Sequence, residues 1–380
     1  METREDILFV SKPLAPPWDD SGKVLPYLIA REIDGFRLRV PVPRGQILDL
    51  PHLRCQEVYR QSWSWSVPLQ DKARLFLTLF PRDLPPIVHF FFSPNAPTTL
   101  AARMVRWRHP GLGVVQTVMS LPVQGAALEQ GLFGDVVVSW SRQGADRVLQ
   151  AVRRHGRSIR VVHIPPGVEA GECPTPDRKR VLRESLGLPL DRPVVLYAGD
   201  LEFSSAARTI AEALPSVARK TGAVFLFANR PKTPGAHRVL QDLRQVLAPW
   251  EASGQVRFLG RVDRFRDLLQ AVDVQVLPAE TTYAKTDLPL VLLEGLMAGV
   301  PAVVGGGTPM DELVELGAAL AVPPGRAEVL AAVLWEVLGR PGAAGALGTT
   351  GREVALRRHS ARAMAAAHEA IYRDLLGRTG

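Results

Sequence analysis

One carboxylate stands alone in the most apolar stretch of this chain. Between Asp287 and Asp311 the only ionisable side chain is Glu294, in the run Leu288-Pro-Leu-Val-Leu-Leu-Glu294-Gly-Leu-Met-Ala-Gly299-Val-Pro301. Pro289 suits a first helical turn, where its missing N–H costs nothing. Leu290, Val291, Leu292, Leu293, Leu296, Met297 and Ala298 then circle the helix axis. Gly299 suits the left-handed position after a helix end, and Pro301 prevents continuation. A helix apolar all round is buried, so a carboxylate within it needs a partner. A neighbouring backbone group is one candidate. A ligand with paired hydroxyls, such as a ribose, is the other.

The elements around that helix alternate. Apolar runs at Ile7–Ser11, Pro86–Phe92, Gly113–Val118, Asp135–Ser139 and Ile159–Ile164 read as strands, with helices over Thr98–Trp107 and Ser141–Arg154. The turn-rich segment from Pro165 to Pro176 marks a boundary. The alternation then restarts with strands at Pro193–Ala198, Ala223–Ala228, Val256–Leu259 and Val274–Leu277, and helices between them. Strands alternating with helices imply βαβ units and parallel sheets. The expected architecture is α/β, with two doubly wound, Rossmann-like domains facing a cleft, where ligands sit at the carboxyl ends of strands. The expected division is 1–168 and 169–359, with the amphipathic helix at 360–380 either closing the second domain or crossing back to the first.

Composition narrows the function classes. The chain has 380 residues, 46% hydrophobic and 22% charged, which suits a globular protein of two domains. No apolar run is long enough to span a bilayer, and the charged start is not a signal peptide. Cys55 and Cys173 cannot make a disulfide framework or metal cluster; a cytoplasmic setting is the simplest. The net charge is +8. Residues 101–160 hold nine arginines (103, 106, 108, 142, 147, 153, 154, 157 and 160) against three acids. That patch suits an anionic substrate, a membrane surface or simply solvent. No nucleic-acid recognition module accompanies it.

Together these segments resemble a retaining glycosyltransferase of the GT-B fold, family 4. Val195-Leu-Tyr-Ala-Gly199 resembles its first strand and glycine turn in the second domain, and Val256-Arg-Phe-Leu-Gly260-Arg-Val262 the strand before its base pocket. Leu268–Pro278 resembles the next helix and strand, Leu290–Pro301 the second half of its paired-glutamate motif, and Ile164-Pro-Pro-Gly167 the end of its first domain. The resemblance implies that Glu294 accepts from the donor ribose. It places the N–H groups of Leu290 and Val291 at the diphosphate, as a helix N-terminus favours anions. It also implies that Gly22 and Gly199 let backbone approach the donor. The implied partners are a nucleotide sugar, UDP-linked first and GDP-linked next, and an acceptor that is a small molecule, a lipid-linked group or a polysaccharide. No metal and no cofactor are implied.

The chain departs from that pattern at three places. The first motif glutamate is replaced by Thr286, leaving its neighbours Asp287, the candidate catalytic group, or Lys285 as a substitute. The diphosphate-binding Arg and Lys are replaced by Asp200 and Ser205, with Arg230 and Lys232 after the Ala223–Ala228 strand as substitutes. The reacting-centre His is replaced by Met119, with His89 on the neighbouring strand as a substitute or a satisfied core histidine. Asn95 and Met119 are the candidate acceptor contacts. Tyr59, Trp63 and Trp65 could stack on a sugar, touch a membrane, or anchor a loop. These losses keep a second reading open: a non-catalytic GT-B partner or sugar-nucleotide-binding protein.

Overall fold

The computed structural model describes residues 6–63, 67–122, 125–154, 156, 158–283 and 286–379. Trp65, Lys285 and Arg157 therefore lie outside the described residues. Strands are β1 (Asp6–Val10), β2 (Arg37–Pro43), β3 (Leu53–Tyr59), β4 (Ile87–Phe91), β5 (Gly113–Val118), β6 (Val136–Ser139), β7 (Arg160–His163), β8 (Val194–Tyr197), β9 (Val224–Phe227), β10 (Val256–Phe258), β11 (Val274–Leu277), β12 (Ala302–Gly305) and β13 (Leu320–Val322). Helices are α1 (Ser21–Glu32), α2 (Leu69–Leu77), α3 (Ala96–Arg108), α4 (Gly125–Gln130), α5 (Arg142–Arg154), α6 (Pro176–Ser185), α7 (Ala206–Thr221), α8 (Pro234–Ala252), α9 (Phe265–Ala271), α10 (Leu290–Met297), α11 (Asp311–Glu315), α12 (Ala327–Gly339), α13 (Pro341–Arg358) and α14 (Ala361–Thr379). No described helix is long and apolar enough to cross a membrane.

The chain divides into two compact units. The first comprises Met1–Glu169, Tyr283–Asp287 and His359–Gly380; the second comprises Ala170–Thr282 and Leu288–Arg358. The sequence reading had given Tyr283–Asp287 to the second.

The first unit is built on a seven-stranded parallel sheet, ordered β3-β2-β1-β4-β5-β6-β7. Its central strands read as continuous apolar runs because both faces are covered; every residue of β4 and β5 is buried. Helix α1 starts where Asp20 accepts from the Gly22 N–H, a cap worth about 1 kcal/mol. The C-terminal helix α14 belongs to this unit. Its Glu369 accepts from the N–H groups of Asp34 and Gly35, and its Tyr372 hydroxyl lies 2.6 Å from His89 Nδ1.

The second unit repeats the plan with six parallel strands, ordered β10-β9-β8-β11-β12-β13. Helix α10 follows β11, and its Leu292, Leu293, Leu296 and Met297 are buried. Each such side chain stabilises by about 1.5–3 kcal/mol relative to exposure. Gly299 takes the left-handed position after α10, at φ 76°. Gln275 on β11 donates to the Leu292 carbonyl, tying sheet to helix. A Cβ on Gly295 would fall 2.3 Å from that amide nitrogen. The absent side chain is thus what lets Gln275 reach α10.

Candidate functional site

The ends of β8, β9, β10 and β11 and the start of α10 gather polar groups in the second unit. Glu294 projects from α10 and is half-buried. Burial raises its carboxyl to about 7, opposed by the charge of Arg266 on α9. Among the described residues, the Glu294 carboxylate makes no hydrogen bond. The backbone partner that would make it a satisfied core glutamate is therefore missing. At the head of α10, Pro289 is the N-cap and supplies no side-chain bond. Its carbonyl takes the N–H groups of Leu292 and Leu293, leaving those of Leu290 and Val291 outside the helical ladder.

Arg230 follows β9 and is half-buried; burial and the neighbouring Arg261 after β10 both lower its affinity for a proton. Two guanidinium groups near each other, with exposed Lys232 close in sequence, suit an anion. Arg261 also pairs with Asp263 at 3.2 Å.

Two acids and an amide lie nearby, of which Glu280 and Asn229 were missed by sequence reasoning. Asp200 accepts from the N–H groups of Glu202 and Phe203, closing the turn after β8. Glu280 accepts from the Ser205 N–H at 2.9 and 3.0 Å and from its hydroxyl at 2.9 Å. It thus holds the N-terminus of α7, at the position where the family pattern has a diphosphate-binding Lys. Asn229, before Arg230, donates to the Gly199 carbonyl at 2.8 Å, while its buried Oδ1 has no partner. The signal available for Glu280 and Asn229 was only their place just past strand ends. Gly199 has a local reason as well: a Cβ there would lie 2.3 Å from the Tyr197 ring. That ring is fixed by its hydroxyl donating to the Asp200 carbonyl.

Residues 192–340 of this arrangement match the family described as glycosyl transferases group 1. That stretch is similar to group 1 glycosyl transferases over about two fifths of the chain. Two relatives are similar to parts of this chain. A GDP-mannose-dependent monoacylated alpha-(1-6)-phosphatidylinositol monomannoside mannosyltransferase of Corynebacterium glutamicum is 30% identical over 201 residues, half of each chain. A GDP-mannose-dependent alpha-(1-6)-phosphatidylinositol monomannoside mannosyltransferase of Mycobacterium tuberculosis is 29% identical over 242 residues, 61% of this chain and 60% of that one. The chain thus spans half to three fifths of the relatives it matches. Among solved structures, sucrose-phosphate synthase from Thermosynechococcus elongatus superposes with a TM-score of 0.76 at 21% identity, covering 99% of this chain and all of that one. Anabaena HepE in complex with UDP-glucose gives 0.77 at 16% identity, covering 97% of this chain and all of that one. The chain has the GT-B fold of two Rossmann-like domains that these structures share.

The first unit bears on several expectations as well. His89 is fully buried, with Nδ1 2.6 Å from the Tyr372 hydroxyl and Nε2 2.7 Å from that of Thr117. Burial, then the adjacent His368, holds its imidazole well below the ordinary range. Both ring nitrogens are thus engaged within the core, the arrangement of a satisfied core histidine. Asp287 is buried too, and its carboxylate accepts from the Ser141 hydroxyl at 2.5 Å. Gly144 leaves room for it, since a Cβ there would sit 2.5 Å from Asp287 Oδ2. It anchors a loop at the start of α5. Thr286 beside it is buried.

Asn95 caps α3 by accepting from the Thr98 N–H at 2.9 Å, and Met119 is buried. Asn95 is exposed at that helix start, while the Met119 side chain is packed in the core. Tyr59 is buried with its hydroxyl on the Ser11 carbonyl, and Trp63 donates to Asp71 at 2.6 Å. Both are packing anchors. Gly22 sits at the first turn of α1, where a Cβ would lie 2.9 Å from Asp20 Oδ1. Next to it, Lys23 is a missed residue: fully buried, it donates to the Pro17 carbonyl and the Ser62 hydroxyl, and burial lowers its ammonium to about 8. Sequence gave no sign of it, since a lysine in a first helical turn is normally solvated.

Proposed function

We propose that the chain is a retaining, metal-independent glycosyltransferase that moves a sugar from a nucleotide-sugar donor to an acceptor hydroxyl. The observation that carries this reading is Glu294, a half-buried carboxylate without a hydrogen bond in the stretch similar to group 1 glycosyl transferases. In this reading it accepts from the two ribose hydroxyls, an arrangement an apolar helix would otherwise not tolerate. Arg230, Lys232 and Arg261 take the diphosphate, with the N–H groups of Leu290 and Val291 beside them. The leaving diphosphate takes the acceptor proton on the same face, the acceptor oxygen bonds to the anomeric carbon, and the carbon–phosphate oxygen bond breaks. The protein contributes positioning and charge stabilisation. A GDP-mannose donor is favoured over the UDP-linked one expected from sequence. Relatives named GDP-mannose-dependent are 29–30% identical, while the UDP-bound structures are 15–16% identical.

A second reading has its own observation. Asp200 and Glu280 occupy backbone N–H groups of the loop between β8 and α7, which would repel a diphosphate there and suit a non-catalytic nucleotide-sugar-binding protein. Release of GDP from GDP-mannose separates the two. The parent protein should release GDP slowly, and Arg230→Ala should lower the rate about 100-fold, as loss of one donor to a developing charge does. Nucleotide binding with no release in the parent would support the second reading, and an unchanged rate in Arg230→Ala would remove Arg230 from the clamp.

A further inference from the structure

We propose that the outer face of α3, with α2 beside it in the same layer, docks the first unit on an anionic lipid surface. Leu100, Met104 and Trp107 recur at helical spacing and are all exposed, Trp107 by 84%. The opposite side of α3, with Thr99, Ala102 and Val105, is buried. An exposed apolar stripe of this kind on an otherwise well-buried helix marks an interaction site.

Charge says what the partner is. Helix α3 contains no acidic residue, and Arg103 and Arg108 are exposed alongside the stripe. The other described arginines of the basic stretch are mostly engaged within the protein. Arg106 pairs with Asp135, Arg154 with Glu129 and Arg160 with Asp374, while Arg147 donates to the Pro122 carbonyl. Among the described residues, Arg103 and Arg108 have no such partner. Arginine stems lie along apolar surface while the heads reach phosphate, and tryptophan favours the boundary between headgroups and acyl chains. Helix α2 extends the face. Leu75 on its inner side joins the same core cluster as Ala102 and Val105 of α3, so both helices cover one side of the sheet. Its outer side exposes Leu69 and Leu77, with Lys72 between them. A second copy of this chain would bring the same unpaired arginines against each other, so self-association fits the face poorly.

The test is flotation of the whole protein with phosphatidylcholine vesicles made with and without phosphatidylglycerol. Binding should need phosphatidylglycerol and weaken with salt. The variants Leu100→Ser/Met104→Ser/Trp107→Ser and Arg103→Ser/Arg108→Ser should each bind about tenfold more weakly or worse, with melting temperatures like the parent's because the replaced side chains are exposed. A parent that floats with neither vesicle, or a triple variant that binds as well as the parent, would overturn the proposal. So would sedimentation showing a parent dimer that the triple variant breaks, since the face would then be a self-interface. The readout is lipid partition, so its failure leaves the donor-site reading intact.

Discussion

Replacing Glu294 by Ala is expected to weaken GDP binding about 100-fold, measured by calorimetry. Hydrogen bonds to a charged group contribute about 1.5–3 kcal/mol each, and two ribose hydroxyls on one carboxylate amount to roughly 3 kcal/mol once competing water is counted. The pH dependence is sharper evidence than the size of the loss. In the unliganded protein the carboxyl sits at about 7, raised by burial and opposed by Arg266. Ribose hydroxyls donate to the ionised form. The ligand therefore selects the carboxylate, and affinity should rise with pH through about 7, then level off. Below that point each pH unit should cost up to about tenfold, until the carboxyl of the complex titrates. Glu294→Gln removes the titrating group, so its pH profile should be flat apart from the phosphate's own ionisation. A profile in Glu294→Gln identical to the parent's would show that the slope belongs to the nucleotide and not to Glu294.

The second large effect is on stability. Gly305 ends β12 next to β11, and a Cβ there would lie 2.1 Å from the Ala279 carbonyl oxygen and 2.8 Å from two further backbone atoms. The Ala279 backbone cannot swing away as a side chain would. The β11–β12 ladder also fixes the register, with Leu277 opposite Val304. Gly305→Ala should therefore destabilise the second unit by about 3 kcal/mol or more, lowering its melting temperature by roughly 6–12 °C. Gly307→Ala is a useful contrast. It has open space for a Cβ, but its φ of 77° is left-handed, so it should cost only about 1 kcal/mol. Equal melting temperatures for Gly305→Ala and the parent would contradict the close packing of these two strand ends.

Much of the fold was legible because buried parallel strands carry unbroken apolar runs. Ile87–Phe91, Val136–Ser139 and Val274–Leu277 come near to that, each with a single polar residue. The strands β2 and β3 did not. The sequence Arg-Leu-Arg-Val-Pro-Val-Pro has two prolines, which argue against a strand, although Leu38, Val40 and Val42 alternate into the core. β3 is an edge strand with a polar outer half. In the site, Glu294 stood out because a lone carboxylate contradicts its apolar surroundings. His89 and Asp287 were harder to read for the opposite reason. Their partners, Tyr372 and Ser141, lie 283 and 146 residues away in sequence, so satisfaction was invisible without the fold. The same distance hid Glu280, whose contact with Ser205 depends on strand order and not on any local pattern.

The central claim is that the second unit holds a nucleotide sugar through Glu294. Thermal denaturation of the parent and of Glu294→Gln with GDP-mannose, UDP-glucose and ADP-glucose tests it most directly, because a ligand bound only by the folded state stabilises by about 4 kcal/mol at a thousandfold excess over its dissociation constant. The expected result is a melting temperature several degrees higher for the parent with GDP-mannose, a smaller rise with UDP-glucose, and little change for Glu294→Gln. No shift of the parent with any nucleotide sugar, or equal shifts in parent and variant, would contradict it.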